Sequence, residues 1–213
     1  MENIERKFNE LVSKIDGRAK RYKNLLYIIK EIKPHKLLEI GVYDGKHSLL
    51  MIETAKLFNS NIEYFGFDLF EDLTKEKFKE EFSKKSSTEK DVFNRLSSTK
   101  VKIKLFKGDT IKTLPLIKKN LPKMDFIFID GGHSELTIKS DWENIQSLIH
   151  ENTIIIFDDF YTKIDAHIKN KGCQNIIKQL DSSKFKYEIL NIVDTFSHFW
   201  GTLYVNFVKV QKK

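Results

Sequence analysis

Apolar residues recur at steps of three and four between Ile4 and Ile32, with a break at Asp16 and Gly17. That spacing predicts two amphipathic helices joined by a turn. Pro34 ends the second, and Lys36 to Val42 reads as a short buried strand. From there the chain alternates. His47 to Phe58 is expected as a helix, Ile62 to Asp68 and Val101 to Lys107 as strands, and Ile111 to Asn120 as a short helix. Met124 to Asp130 is expected as a strand, Leu136 to Ile149 as a helix and Thr153 to Phe157 as a strand. Strands alternating with helices predict a doubly wound, mostly parallel, Rossmann-like α/β sheet of seven strands. Phe185 to Ile192 and Leu203 to Val210 are β-rich and too close for a crossover helix, so they are expected to pair antiparallel at the sheet edge.

Residues 69–100 interrupt the alternation with a mostly charged stretch where one helix would do. They read as two polar helices broken at Ser86, Ser87 and Thr88. Long insertions are often functional, and this one is either a lid or partner surface over the carboxyl edge of the sheet or a decoration without a role. With the helices of residues 1–33, everything fits one domain over 1–213.

Composition narrows the class. Hydrophobic residues make up 40% of the 213, enough for a core, and 37 Lys and Arg against 30 Asp and Glu give a net charge of +7. The lysines are scattered among acids, which favours a solvated surface over a nucleic-acid footprint. The one cysteine, Cys173, excludes an internal disulfide and a multi-cysteine zinc site. No run of signal-peptide or membrane-spanning type stands out, so the expected compartment is the cytoplasm.

Five strand ends carry candidate chemistry. In Glu39 to Gly45 (EIGVYDG) the glycines let backbone approach a ligand at the head of a helix. Tyr43 stands where a dinucleotide motif would have its second glycine, and Glu39 suits a cationic group, such as a sulfonium or an amine, better than a phosphate. Asp68, closing the second strand, can accept a ribose diol. Asp109, in KGDT, either holds an adenine amine or caps the helix after it. Asp130 (FIFIDGGHS) and Asp158 and Asp159 (IIIFDDF) end two strands that converge if they are neighbours. Three such carboxylates need either protonation or a divalent cation, Mg²⁺ before Mn²⁺ or Ca²⁺. His133 is placed either to accept a proton from a hydroxyl or to cap a helix. Trp142 reads as packing and Trp200 as a pocket or hairpin aromatic; His35, His47, His150, His167 and His198 show no metal-ligand spacing.

Together LLEIGVYDG, YFGFD, GDTIKTLP, FIDGGHS and IIIFDD resemble the S-adenosylmethionine-dependent methyltransferases, especially the macrocin O-methyltransferase and cephalosporin hydroxylase-like group. The likeness runs from about Lys36 to Phe160. It implies that Glu39, Gly41, Tyr43 and Gly45 surround the methionine part of the cofactor, that Asp68 holds the ribose, and that Asp109 and Thr110 reach adenine, with Asp130 bordering the site. Metal-dependent relatives imply Mg²⁺ on Asp130, Asp158 and Asp159. The chain departs from relatives at His150, Glu151 and Asn152, which replace a proline and glycines in a turn, and at Gly132, where an acid is common and His133 follows instead. The expected activity is O-methylation of a small hydroxyl compound, a sugar or phenol, with His133 or Asp159 handling the proton. A nucleic-acid methyltransferase, a nicotinamide-dependent oxidoreductase and a silent binding protein are the rivals, and homo-oligomerisation is left open.

Overall fold

The computed structural model describes residues 2–81, 85, 87–162, 171–199 and 201–213. Ser86, His167 and Trp200 lie outside the described residues. Strands β1 (Lys36–Ile40), β2 (Glu63–Asp68), β3 (Lys102–Lys107), β4 (Met124–Ile129) and β5 (Ile149–Tyr161) pair in parallel, while β6 (Phe185–His198) and β7 (Gly201–Lys212) add antiparallel pairings. The order is β3-β2-β1-β4-β5-β7-β6. Consecutive residues of the central strands are both buried because each face has its own cover. Leu37, Tyr64 and Phe128 pack with α1 (Glu2–Ser13), α2 (Lys23–Ile32) and α3 (Lys46–Lys56). Leu38, Phe65 and Ile127 pack on the other face with α6 (Thr110–Ile117) and α7 (Glu135–Ile145). Trp142 is core, against Phe157 and Phe185, and Cys173 is a buried free thiol. Among the described residues no helix is long and apolar enough to cross a membrane.

Three boundaries differ from expectation. Helix α7 stops at Ile145, a 3-10 turn covers Gln146–Leu148, and Ile149 already pairs with Met124. The turn between is closed by His150, whose amide donates to Thr153 Oγ1 (2.8 Å) and whose ring accepts from the Asn152 amide (3.1 Å). At the other end β5 runs on past Asp158, because Phe160 and Tyr161 still find partners on β7. Its register shifts between Phe157 and Phe160, and Asp159 adopts φ 58°. Such a bulge re-aims side chains and recurs beside active sites. Likewise β6 continues to His198 after a register shift between Ile189 and Val193.

The insertion holds α4 (Lys75–Glu80) and α5 (Glu89–Ser97), capped by Thr74 and Thr88, which accept the amides of Lys77 and Asp91. Val92 and Leu96 of α5 are core, whereas α4 buries nothing. What fixes the far end of α4 is Glu81, 3% exposed. Its carboxylate accepts from the Ser134 amide (2.7 Å), Ser134 Oγ (2.8 Å) and Thr137 Oγ1 (2.7 Å). The insertion is thereby fastened to the N-terminus of α7, where unpaired amides attract an anion.

Candidate active site

A cavity of about 700 Å³ opens beyond the carboxyl ends of β1, β2, β4 and β5. Its first wall is the turn after β1. Gly41 has φ +92°, and a Cβ there would lie 1.9 Å from the Asp130 carbonyl oxygen. Only glycine lets the ends of β1 and β4 close on each other, through Asp130 N to Ile40 O at 2.8 Å. Gly45, φ +74°, stands at the head of α3. Tyr43, also with positive φ, is 42% exposed on the rim. Its amide donates to Asp68 Oδ2 (2.7 Å), and the Phe70 amide donates to Oδ1 (2.7 Å). Asp68 therefore both lines the cavity and holds two turns together.

Glu39 is buried beside this turn and accepts from Ser48 Oγ (2.5 Å) and from the Tyr64 hydroxyl. Burial pushes its carboxyl up to about 8, against the pull of those two donors. Asp109 lines the cavity yet also caps α6, accepting from the Ile111 amide (3.0 Å), and Lys77 of the insertion sits 3.4 Å from it. The helix-cap reading of that residue thus holds, and the capped position also borders the cavity. Thr110 follows it on the wall. The insertion reaches the same cavity with Leu73, Lys77 and Glu81.

The second end of the cavity gathers Asp130, Asp158, Asp159 and His133, as the neighbouring strands require. The bulge sends the two adjacent aspartates to different partners. Asp159 pairs with His133 Nε2 at 3.0 Å. Burial alone would lower the histidine, but the Asp159 carboxylate outweighs it and raises His133 to about 9. From behind, the Gly172 and Cys173 amides donate to the carbonyls of His133 (2.9 Å) and Asp159 (3.1 Å). Asp158 turns the other way, into a bidentate pair with Arg21 Nε (2.7 Å) and Nη2 (2.6 Å). Asp130 accepts from the Tyr22 hydroxyl at 2.5 Å, and burial with the charges of Asp158 and Asp159 pushes its carboxyl well above the usual carboxylate range.

The expected magnesium centre is not shown by this arrangement. Among the described residues no group of three or more His, Cys, Asp and Glu side chains is disposed to hold a metal ion. The three carboxylates do meet, but Arg21, Tyr22 and His133 are their partners, so the donor set does not fit a divalent cation.

The methyltransferase domain model matches residues 38–160, more than half of the chain and every strand end just described. The chain belongs to the methyltransferase domain family. No curated protein matches it by sequence. Among solved structures it is similar to the O-methyltransferase TomG of Streptomyces achromogenes, involved in tomaymycin synthesis and solved with SAM. The two are 14% identical with a TM-score of 0.63, over 92% of this chain and 80% of that one. An O-methyltransferase of Bacillus cereus, solved with SAH, is also 14% identical, with a TM-score of 0.61 over 100% of this chain and 90% of that one. The SAH-bound methyltransferase PaMTH1 of Podospora anserina is 14% identical with a TM-score of 0.59, over 100% and 88%. These likenesses show the class I methyltransferase fold.

Several residues of this methyltransferase site had no sequence signal. Arg21 and Tyr22 lie in the 3-10 turn Lys20–Tyr22, outside the matched region and past the break expected at Asp16 and Gly17. His47, set aside for lacking metal-ligand spacing, lines the cavity with its ring stacked on Tyr22 at 3.8 Å. Asp194 lay beyond the strand expected over Phe185 to Ile192, yet it is 4% exposed and receives Arg21 Nη1 at 2.8 Å.

Proposed function

We propose that this methyltransferase domain moves the methyl group of S-adenosylmethionine onto a hydroxyl of a small polar acceptor, a sugar or a phenol. The observation that carries the reading is the His133–Asp159 pair, which lines the same cavity as the Glu39–Gly45 turn. The residues fit the cofactor. Gly41 brings the turn backbone close against the end of β4 on the cavity wall, Glu39 is an acid with no cationic partner among the described residues, and Asp68 stands at the end of the second strand. Glu39 would face the amino acid part, Asp68 the ribose, and Asp109 and Thr110 the adenine. The cofactor supplies an electrophilic methyl on a sulfonium and leaves as a neutral thioether.

The chain's own part is proton handling and alignment. Asp159 orients the His133 ring through Nε2, so Nδ1, which has no other partner among the described residues, takes the proton of the acceptor hydroxyl once the ring has given one proton to solvent. The pocket holds the acceptor in line, which by itself supplies a large share of the rate. No step runs through magnesium, because the carboxylates that would hold it have other partners.

A thermal-shift comparison tests the cofactor. S-adenosylhomocysteine at a hundredfold excess over its dissociation constant is expected to stabilise the fold by about 2.7 kcal/mol, and NAD is expected to have no effect. Stabilisation by NAD alone sinks the reading. Asp68→Asn should weaken S-adenosylhomocysteine, and its one remaining oxygen can keep only one of the two backbone bonds.

Glu39 adds a thermodynamic signature. A carboxyl held at about 8 is largely protonated at pH 7, and a cationic amine brought beside it lowers that value, so binding should release up to one proton at neutral pH. Calorimetry in two buffers of different ionisation enthalpy reads this directly. The heats should differ for the native protein and coincide for Glu39→Gln; coincident heats in the native protein would take Glu39 away from the ligand's amine.

A further inference from the structure

The unexpected feature of the acidic end is that its cation is covalently part of the chain. Arg21 is 8% exposed and lies on the cavity wall. Of the five N–H donors of a guanidinium, Nε and one on Nη2 go to Asp158, and one on Nη1 goes to Asp194 at 2.8 Å. The plane sits 4.8 Å from the Tyr22 ring centroid and 5.4 Å from that of Phe207, so aromatic faces cover what the carboxylates leave. Asp194 also accepts the backbone amides of Lys20 (2.8 Å) and Arg21 (3.3 Å), which fixes the arginine's stem as well as its head.

Tyr22, the next residue, closes the remaining gap. Its hydroxyl lies 2.5 Å from Asp130 and 3.2 Å from Asp158, and its ring is held flat against His47. A hard divalent cation requires about six oxygens at roughly 2.0–2.6 Å. Here the three carboxylates that would begin that shell are each committed to another group, and Arg21 and Tyr22 occupy the near side of two of them.

We infer that Arg21 is the resident cation of this active site, standing where a divalent metal would otherwise bind and positioning Asp158, and through Tyr22 Asp130, so that methyl transfer needs no metal ion. The inference rests on the methyltransferase reading above for what the site does, but not for what it binds. An Arg side chain suits the post because its planar fork matches a carboxylate bidentately and its charge cannot be lost by deprotonation. It also differs from an ion in being part of the backbone, since it ties the segment before α2 to β5 and β6.

The test uses Mn²⁺ as the probe, followed by electron paramagnetic resonance, with S-adenosylhomocysteine calorimetry run on the same samples. The native protein is expected to hold no Mn²⁺ that Asp158→Asn removes, and to bind S-adenosylhomocysteine with the same affinity in excess chelator and in excess Mg²⁺. Arg21→Ala is expected to expose the carboxylates and to gain a Mn²⁺ site at least tenfold tighter than anything in the native protein, lost again in Arg21→Ala/Asp158→Asn. A native Mn²⁺ site abolished by Asp158→Asn overturns the inference, and this arm needs no arginine variant to fold. A folded Arg21→Ala that gains no site overturns it too. Failure of the methyltransferase reading looks different: S-adenosylhomocysteine then fails to bind under any of these conditions, whatever Mn²⁺ does.

Discussion

Replacing His133 with alanine is expected to lower methyl transfer by about 10²- to 10⁴-fold, the usual worth of a positioned general base, while S-adenosylhomocysteine binds as before. The check is transfer of labelled methyl from S-adenosylmethionine to a panel of sugars and phenols. His133 also sets a pH dependence. With its value raised to about 9, the ring is protonated at neutral pH and cannot accept a proton, so the native rate should climb with pH and level off above about 9. The alanine variant should lack that limb. The same raised value contributes to folding stability in the opposite sense. The contribution is fully present below the unfolded value of about 6.5 and is lost as pH rises through about 9. The groups that face this ring and shape its titration are Asp159 and Asp158. A His133→Ala protein with native turnover would pass the proton to Asp159 or to solvent.

The second large effect is expected at Gly41. Alanine there would put a methyl group 1.9 Å from a backbone oxygen in a conformation, φ +92°, that side chains rarely adopt. Neither the Asp130 carbonyl nor the strand end behind it can move without breaking the β1–β4 pairing. Backbone strain of about 1–3 kcal/mol and overpacking of about 1–3 kcal/mol both apply, so Gly41→Ala should destabilise by about 2–6 kcal/mol. The midpoint of denaturant unfolding measures it. Gly17, where an added Cβ meets nothing within 4 Å, is the control and should tolerate alanine. A Gly41→Ala protein as stable as the Gly17→Ala protein would show that the end of β1 yields more readily than its contacts suggest.

What was legible in the sequence was local. A buried parallel strand is a run of apolar residues that stops at a polar one, and that contrast located Asp68 and Asp130 at strand ends. The glycine turn showed itself for a similar reason, because close approach removes every residue but one from consideration. What was not legible was pairing across the chain. Arg21 meets Asp194 over 173 residues and Asp158 over 137, and no periodicity records such a meeting. The magnesium expectation followed from counting acids at two strand ends without knowing what would lie against them. The bulge escaped notice for a related reason. Two aspartates after an apolar run read as the end of a strand, and only β7, more than forty residues later, keeps that strand going and turns the acids apart.

The clasp of Arg21 between Asp158 and Asp194 also bears on when the site comes into being. Contacts this far apart in sequence carry a larger loop-closure cost than neighbouring ones and form late in folding. As the chain emerges from a ribosome, β1 to β4 can pair with their glycine turn while Asp194 is still unmade. Until then Arg21 has only one of its two anchors. The cofactor wall is therefore a product of early chain growth, whereas the acidic wall waits for β6 and β7, so nascent chains should hold half a pocket before they hold a catalyst.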